Sequence, residues 1–296
     1  HIDLKDKTAT EFSLKHPEKF LSIKALQRRQ KQNLQVDSTD LPIPKAYIKA
    51  IRKTGVKVLL ASKWENFVTV SCNDTSKIDQ IRALPFVKSA VKVWKGSSSK
   101  YPISQGRRDT IINEVTVNPD TIYGASYGQI HVSNTDLLHE AGFKGQGMTI
   151  AVVDGGFHNF DRIPALDNVK VLGTKDFVNP NSDIYAEATH GLSVLSCMAA
   201  NKPGVMIGSA PEASYWLLRS EDSDSEYPIE QDYWAAAVEL ADSVGVDLIN
   251  TSLGYNEFDD SSMDFKLRDL DGQRSVISRV AGHLADKGMI LVCSAG

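Results

Sequence analysis

A carboxylate and an imidazole that could share a proton are the first chemistry this sequence offers. The carboxylate is Asp154, closing the β-branched apolar run Met148-Thr-Ile-Ala-Val-Val-Asp154 and followed by Gly155 and Gly156. Such a run fits a buried strand of a parallel sheet. An Asp just past it sits at the strand's carboxyl end, where open α/β sheets place ligands and chemistry. The paired glycines permit a sharp turn there, although strand-Asp-Gly-Gly also reads as a plain structural turn. The imidazole is His190, opening His190-Gly-Leu-Ser-Val-Leu-Ser-Cys-Met-Ala-Ala200, a helix pattern of small and apolar residues. A lone His at a helix start is more often a cap or a surface group. One followed by turns of Gly, Ser, Cys and Ala is expected to pack tightly beneath the sheet.

Two later segments complete a pattern. Asp247-Leu-Ile-Asn250-Thr-Ser252-Leu253-Gly254 and Ile290-Leu-Val-Cys-Ser-Ala-Gly296 follow Asp154 and His190 in order. Together the four segments resemble the subtilisin-like serine proteases: a strand ending Asp-x-Gly, a helix opening His-Gly, an Asn-x-Ser-x-Gly strand and a strand ending Ala-Gly-Asn. The resemblance implies acyl transfer. His190 would take the proton of a serine hydroxyl, a poor nucleophile while protonated. Asp154 would hold the imidazole's tautomer and stabilise the imidazolium. Ser252, Leu253 and Gly254 would form one edge of the substrate cleft, pairing with a peptide main chain.

The chain also departs from the pattern. It stops at Gly296, one position short of the expected oxyanion Asn, and no Gly-Thr-Ser occurs anywhere to supply the nucleophile. The oxyanion and nucleophile groups are therefore not in this chain, a missing C-terminal segment is the expected reason, and this chain alone is expected to be inactive. Gly155 stands where Ser or Thr is usual, and Leu192 where Thr is common. The alternative of another class is a catalytically inactive protease-like module that binds peptides or a partner.

The elements positioning these residues read as an α/β protein with a doubly wound, mainly parallel sheet, preceded by a small α+β domain. Residues 1–97 form that first domain, 98–122 a linker or processing region, and 123–296 the N-terminal part of the catalytic domain. In the first domain, Pro17, Phe20, Ile23 and Leu26 mark one amphipathic helix, and Tyr47, Ile48 and Ile51 a second, closed by Gly55. Strands follow over 56–60 and 66–71, a short helix carries Ile78 and Ile81, and a strand returns over 87–93. The last half resembles the inhibitory propeptide of subtilases, so the protein's own propeptide is an expected partner; the helical extension before it has no assigned role. In the linker, 110–117 reads as an added strand, and 95–100 and 105–109 as exposed candidate processing sites.

In the larger domain, 157–189 reads as a loop-rich insert, 213–218 as a strand, 230–244 as an amphipathic helix and 274–287 as another. Glycines 142, 145 and 147 precede a strand rather than follow one, which disfavours a dinucleotide site. The acids Asp161, Asp167, Asp176, Asp183 and Glu187 lie in the insert. Subtilases often hold structural Ca²⁺ in such loops, but no EF-hand spacing appears and a solvated acidic loop is the preferred reading. No cofactor is required for the chemistry.

Charge is uneven. Residues 1–100 hold 20 Lys+Arg against 9 Asp+Glu, while the whole chain holds 33 against 37. Without aromatic interleaving or a recognition motif, the basic third does not read as a nucleic-acid site; two modules of opposite sign that attract each other is the better reading. No apolar stretch is long enough for a transmembrane segment. His1 to Lys7 is not a signal peptide, and the resemblance implies a secreted or cell-surface bacterial protein whose signal peptide is absent from this chain. Cys72, Cys197 and Cys293 are too few for a disulfide framework; two of them read as small buried hydrophobes. The acids of Glu257-Phe-Asp-Asp260 hint at a preference for basic peptides.

Overall fold

A computed structural model of the chain describes residues 1–95 and 122–295. Nearly all of the linker, with its strand over 110–117 and its candidate processing sites, lies outside the described residues. In chain order the elements are β1 (Ile2–Leu4), α1 (Ile23–Lys31), α2 (Lys45–Lys53), β2 (Lys57–Ser62), β3 (Phe67–Ser71), α3 (Ser76–Arg82), β4 (Val87–Ala90), α4 (Tyr127–Val132) and α5 (Thr135–Glu140). There follow β5 (Thr149–Asp154), β6 (Lys170–Asp176), α6 (His190–Ala199), β7 (Asn201–Lys202), β8 (Met206–Ile207), β9 (Ser214–Arg219), α7 (Ile229–Val244), β10 (Leu248–Thr251), α8 (Val276–Asp286) and β11 (Ile290–Cys293). Two compact units result. One joins the described part of His1–Lys100 to Asp224–Gly245 and Gly254–Leu291; the other holds the rest.

The first unit is built on an antiparallel sheet of order β2-β3-β1-β4. Ile2, Leu4, Ile51, Val68, Ile81 and Val87 form its core. Sequence patterning assigns β1 no structure, yet it lies between β3 and β4, with Ile2 opposite both Val68 and Ala90. Three residues are too few to register as a period-two pattern. The single helix expected from Pro17 is also corrected. A 3₁₀ turn at Pro17–Lys19 is separated from α1, which Ser22 caps by accepting from the Ala25 N–H. Ile23 of the expected apolar stripe is 73% exposed, and α1 buries Ala25, Arg28 and Arg29 instead.

Those arginines are buried because α7 meets them with acids. Asp232, Glu239 and Asp242, seven and three residues apart, share one helical face. Arg28 pairs with Asp242, and Arg29 donates to Asp242 Oδ2 at 3.0 Å and to Asp40 Oδ1 at 2.8 Å. Lys287, also buried, reaches Asp40 at 3.2 Å. Glu239 accepts from the backbone N–H groups of Lys63 and Trp64 at 2.8 and 3.0 Å. Asp232 accepts from Thr69 Oγ1 at 2.7 Å and contacts His1 Nδ1 at 2.8 Å. The helix read as amphipathic is therefore buried almost all round, with its charges paired. Closure is tight: a Cβ on Gly245, which caps α7 at φ +90°, would stand 2.6 Å from Lys24 Cβ.

The second unit contains β10, β5, β9 and β6, side by side in that order. β5 pairs in parallel with β9 and β10, and β6 in parallel with β9. Helices α6, α7 and α8 follow β6, β9 and β10 in the chain, giving the expected α/β architecture. Its core gathers Val152, Phe157, Leu195, Ala199, Tyr215 and Leu217. The insert read as loop-rich contains β6. That edge strand alternates weakly and buries little, so its composition hides it. Gly173 lets it lie against β9, since a Cβ there would fall 2.5 Å from the Trp216 ring.

The buried charges generate two expectations, both read on the intact chain by urea denaturation. Asp242→Ala leaves two arginines buried without their shared partner and destabilises the first unit by about 3–5 kcal/mol. His1 gives a pH signature. Burial opposes its charge, but Asp232 and Asp3 outweigh burial and raise its pKa from 6.5 to about 9. The stability it contributes is fully present below pH 6.5 and is lost as pH rises through about 9. His1→Gln should flatten stability between pH 6 and 9.5; an unchanged slope would refute this.

Candidate active site

Asp154 ends a strand whose six residues are all buried, and is itself fully buried. Its Oδ1 accepts the Gly155 N–H at 2.7 Å and meets His190 Nδ1 at 2.8 Å; Oδ2 has no hydrogen-bond partner among the described residues. Its carbonyl accepts from Ser220 N–H at 3.0 Å, tying the end of β5 to the segment after β9. Beyond it the chain turns so closely under the 184–188 segment that a Cβ on Gly156 would lie 2.5 Å from Ala188 N. Phe157 and His158 donate to the carbonyls of Ile184 and Ala188.

His190 is the first residue of α6, whose buried residues Gly191, Leu195 and Ala199 recur every fourth position. That stripe sets the helix on β5 at closest range: a Cβ on Gly191 would be 2.5 Å from Gly156 O and 2.8 Å from Asp154 Cβ. Glycine at 191 is thus what lets the imidazole reach the carboxylate. The tight packing expected of the whole helix applies only to this stripe. The His190 side chain remains 56% exposed, and its Nε2 has no bond among the described residues. The hydrogen bond to Asp154 raises the His190 pKa against the opposing effect of burial. Burial in turn pushes Asp154 up, with His190 and the Gly155 N–H pulling it down. With the proton of the neutral ring on Nδ1, toward Asp154, Nε2 carries the lone pair on the solvent side.

The surroundings supply two groups that the sequence reading passed over. Arg219, buried at the end of β9, donates from Nε to Gly155 O at 2.9 Å and from Nη1 to Asp176 Oδ2 at 3.0 Å, and pairs with Glu187 at 3.4 Å. An arginine ending an apolar strand was the available signal. Glu221, read only as part of a polar loop, has its Oε2 3.3 Å from where a Cβ on Gly155 would be.

Other expected residues are placed as follows. Thr251 is level with Val153 in the sheet, so Ser252 and Leu253 leave it at the same end as Asp154, with Leu253 buried. Gly254 belongs to the other unit and has open space about it. Two of the insert acids are engaged by donors of the protein itself. Asp176 accepts from Val178 and Asn179 N–H groups and from Arg219, and Asp183 accepts from Tyr185 N–H. Among the described residues no three His, Cys, Asp or Glu side chains converge as a metal group. The acids at 259 and 260 are engaged, Asp259 with Glu226 N–H and Asp260 with Lys95 at 3.2 Å. The cysteine reading is corrected: Cys197 and Cys293 are exposed and Cys72 is half-buried. Cys197 lies off the buried stripe of α6, and β11 shows no buried residue.

Known proteins resemble this chain in sequence and in fold. Residues 145–296 match the family model described as the subtilase family, and residues 1–108 the one described as the peptidase S8 propeptide domain, Bacteroidota. Subtilisin E of Bacillus subtilis (strain 168) is 32% identical over 121 residues, covering 40% of this chain and 29% of that protein. The thermostable alkaline protease of Halalkalibacterium halodurans is 27% identical over 143 residues, covering 48% and 36%. The chain thus spans about a third of the length of these relatives. Fervidolysin from Fervidobacterium pennivorans shares the fold at a TM-score of 0.51 and 19% identity, over 85% of this chain and 38% of that one. The epidermin leader peptide processing serine protease of Staphylococcus aureus does so at 0.52 and 15%, over 85% and 58%. No helix among the described residues is long and apolar enough to cross a membrane.

Gly191→Ala should push α6 off β5 and break the Asp154–His190 bond. Titration of the His190 ring protons by NMR should then show its pKa falling back toward 6.5. Gly155→Ala, where only the far ends of the Glu221 and Ser223 side chains stand within 3.4 Å, should leave it nearly unchanged.

Proposed function

Because the chain belongs to the subtilase family, we propose that it is part of a secreted or cell-surface serine endopeptidase precursor in which Asp154 and His190 are two members of an Asp-His-Ser triad. The observation that carries this reading is the 2.8 Å approach of a buried carboxylate to Nδ1 of a half-exposed imidazole at the carboxyl end of a central strand. With Nδ1–H donated to Asp154, Nε2 is free to remove a proton from a serine hydroxyl. It would then return that proton to the leaving amine, while Asp154 stabilises the imidazolium between the two steps. Ser252, Leu253 and Gly254 would receive the substrate main chain, and residues 1–97 act as the propeptide, released by cleavage within 98–122. No residue of 1–296 is assigned as the serine or the oxyanion Asn, and this chain alone is not expected to hydrolyse peptides.

The full-length protein encoded by the gene should be labelled by an active-serine phosphonate after removal of the propeptide, and absence of labelling would overturn the reading. Asp154→Asn should lower kcat by about 10⁴-fold. The neutral imidazole is the base and Asp154 raises its pKa. Activity should therefore climb with pH through a value above 6.5. An acid limb at or below 6.5 would count against the assignment of His190.

A further inference from the structure

We propose that Glu221 is a specificity residue of this site, a carboxylate that receives a lysine or arginine side chain of the bound peptide close to the scissile bond. The proposal rests on the endopeptidase reading and names a substrate class for it.

Register places the group. Asp154 is level with Arg219 at the ends of β5 and β9, and Ser220 N–H is bonded to the Asp154 carbonyl. Glu221 therefore emerges from the sheet beside the candidate catalytic acid. Its Oε2 stands over Gly155, at the spot a larger residue's side chain would crowd. The absence of a side chain at 155, the departure from the usual Ser or Thr, is what gives this carboxylate its room.

What singles out Glu221 is that no donor meets it directly, although Arg219 and His190 are near enough to pull its pKa down against burial. Arg219 is taken up by Asp176, Glu187 and Asp222. Glu221 itself is half-buried and makes no hydrogen bond or ion pair among the described residues. A carboxylate partly withdrawn from water without a partner is unfavourable, and a cation brought by a ligand relieves it. Asp154 adds to the negative field, its Oδ2 lacking a donor among the described residues. Burial and the Asp154 charge raise the Glu221 pKa, while Glu221 is near enough to raise that of His190. The peptide being cut must pass this imidazole, which brings its side chains past Glu221. The preference for basic peptides suggested by residues 257–260 is thereby reassigned to a different acid.

The test uses the full-length enzyme and a peptide series in which lysine or glutamine is placed in turn at each of the three residues on the acyl side of the cut. At one position lysine should be favoured by about tenfold in kcat/KM, the scale of one charge-assisted hydrogen bond. The preference should shrink as salt is raised. Glu221→Gln should bring the ratio to about one, Glu221→Asp should retain part of it, and Glu221→Lys should favour glutamate. A ratio near one at all three positions in the wild type, or a preference that survives Glu221→Gln, overturns the proposal. Binding of the same peptides to a His190→Ala variant, followed by fluorescence anisotropy, gives a second readout that needs no turnover. Equal Kd for lysine and glutamine peptides overturns the role of Glu221, whereas failure of the phosphonate to label overturns the serine reading alone.

Discussion

The bond between Asp154 and His190 exists because two backbones touch where side chains would ordinarily keep them apart. Gly191 rests on Asp154 Cβ and Gly156 O, and Gly156 rests on Ala188, so strand end, turn and helix start meet at one place. Close packing of this kind is rigid. It holds an imidazole at a fixed distance from a carboxylate whose pKa burial pushes up. The sheet supplies the burial, since β5 has a parallel neighbour on each side. Arg219 then pins the carbonyl of Gly155, so the turn is fixed by a charge as well as by contact. Little of this depends on hydrophobic area as such. It depends on the absence of two Cβ atoms.

The first unit is held by a different principle. Its apolar core is small, and much of its buried interior is ionic: Arg28, Arg29 and Lys287 against Asp40 and Asp242, with Glu239 and Asp232 receiving donors from β2, β3 and their connection. Paired charges of this sort contribute modestly to net stability but penalise a wrong or missing partner heavily. The unit is therefore selective about what covers it. Most of these acids come from α7, and the bases largely from the first hundred residues.

Reading the sequence recovered what depends on strong local patterns. Asp154 closing an apolar run and His190-Gly191 opening a small-residue helix were both legible, as were β2, β3, β9 and β10. Weak or short patterns were lost: β1 has three residues, and β6 is an edge strand with little to bury. The face of α1 was misread because its buried residues are arginines, and hydropathy periodicity cannot see a charge that is paired inside. The acids of α7 at 232, 239 and 242 carried a readable spacing, but only knowledge of their partners gives it meaning. Glu221 was hidden in a run of acids and serines; its neighbour Gly155 gave no sign that a carboxylate would occupy the space above it.

The pairing of His1 with Asp232 has a consequence for biosynthesis. A ribosome translating this message releases the first strand long before it makes the helix that completes the module. Until then the nascent segment carries arginines and a lysine without the anions they are built to meet, and the first strand lacks the partner that fixes its end. Such a segment has little reason to settle early. Its maturation would wait on synthesis more than two hundred codons downstream, tying the birth of the leading module to that of the domain it precedes.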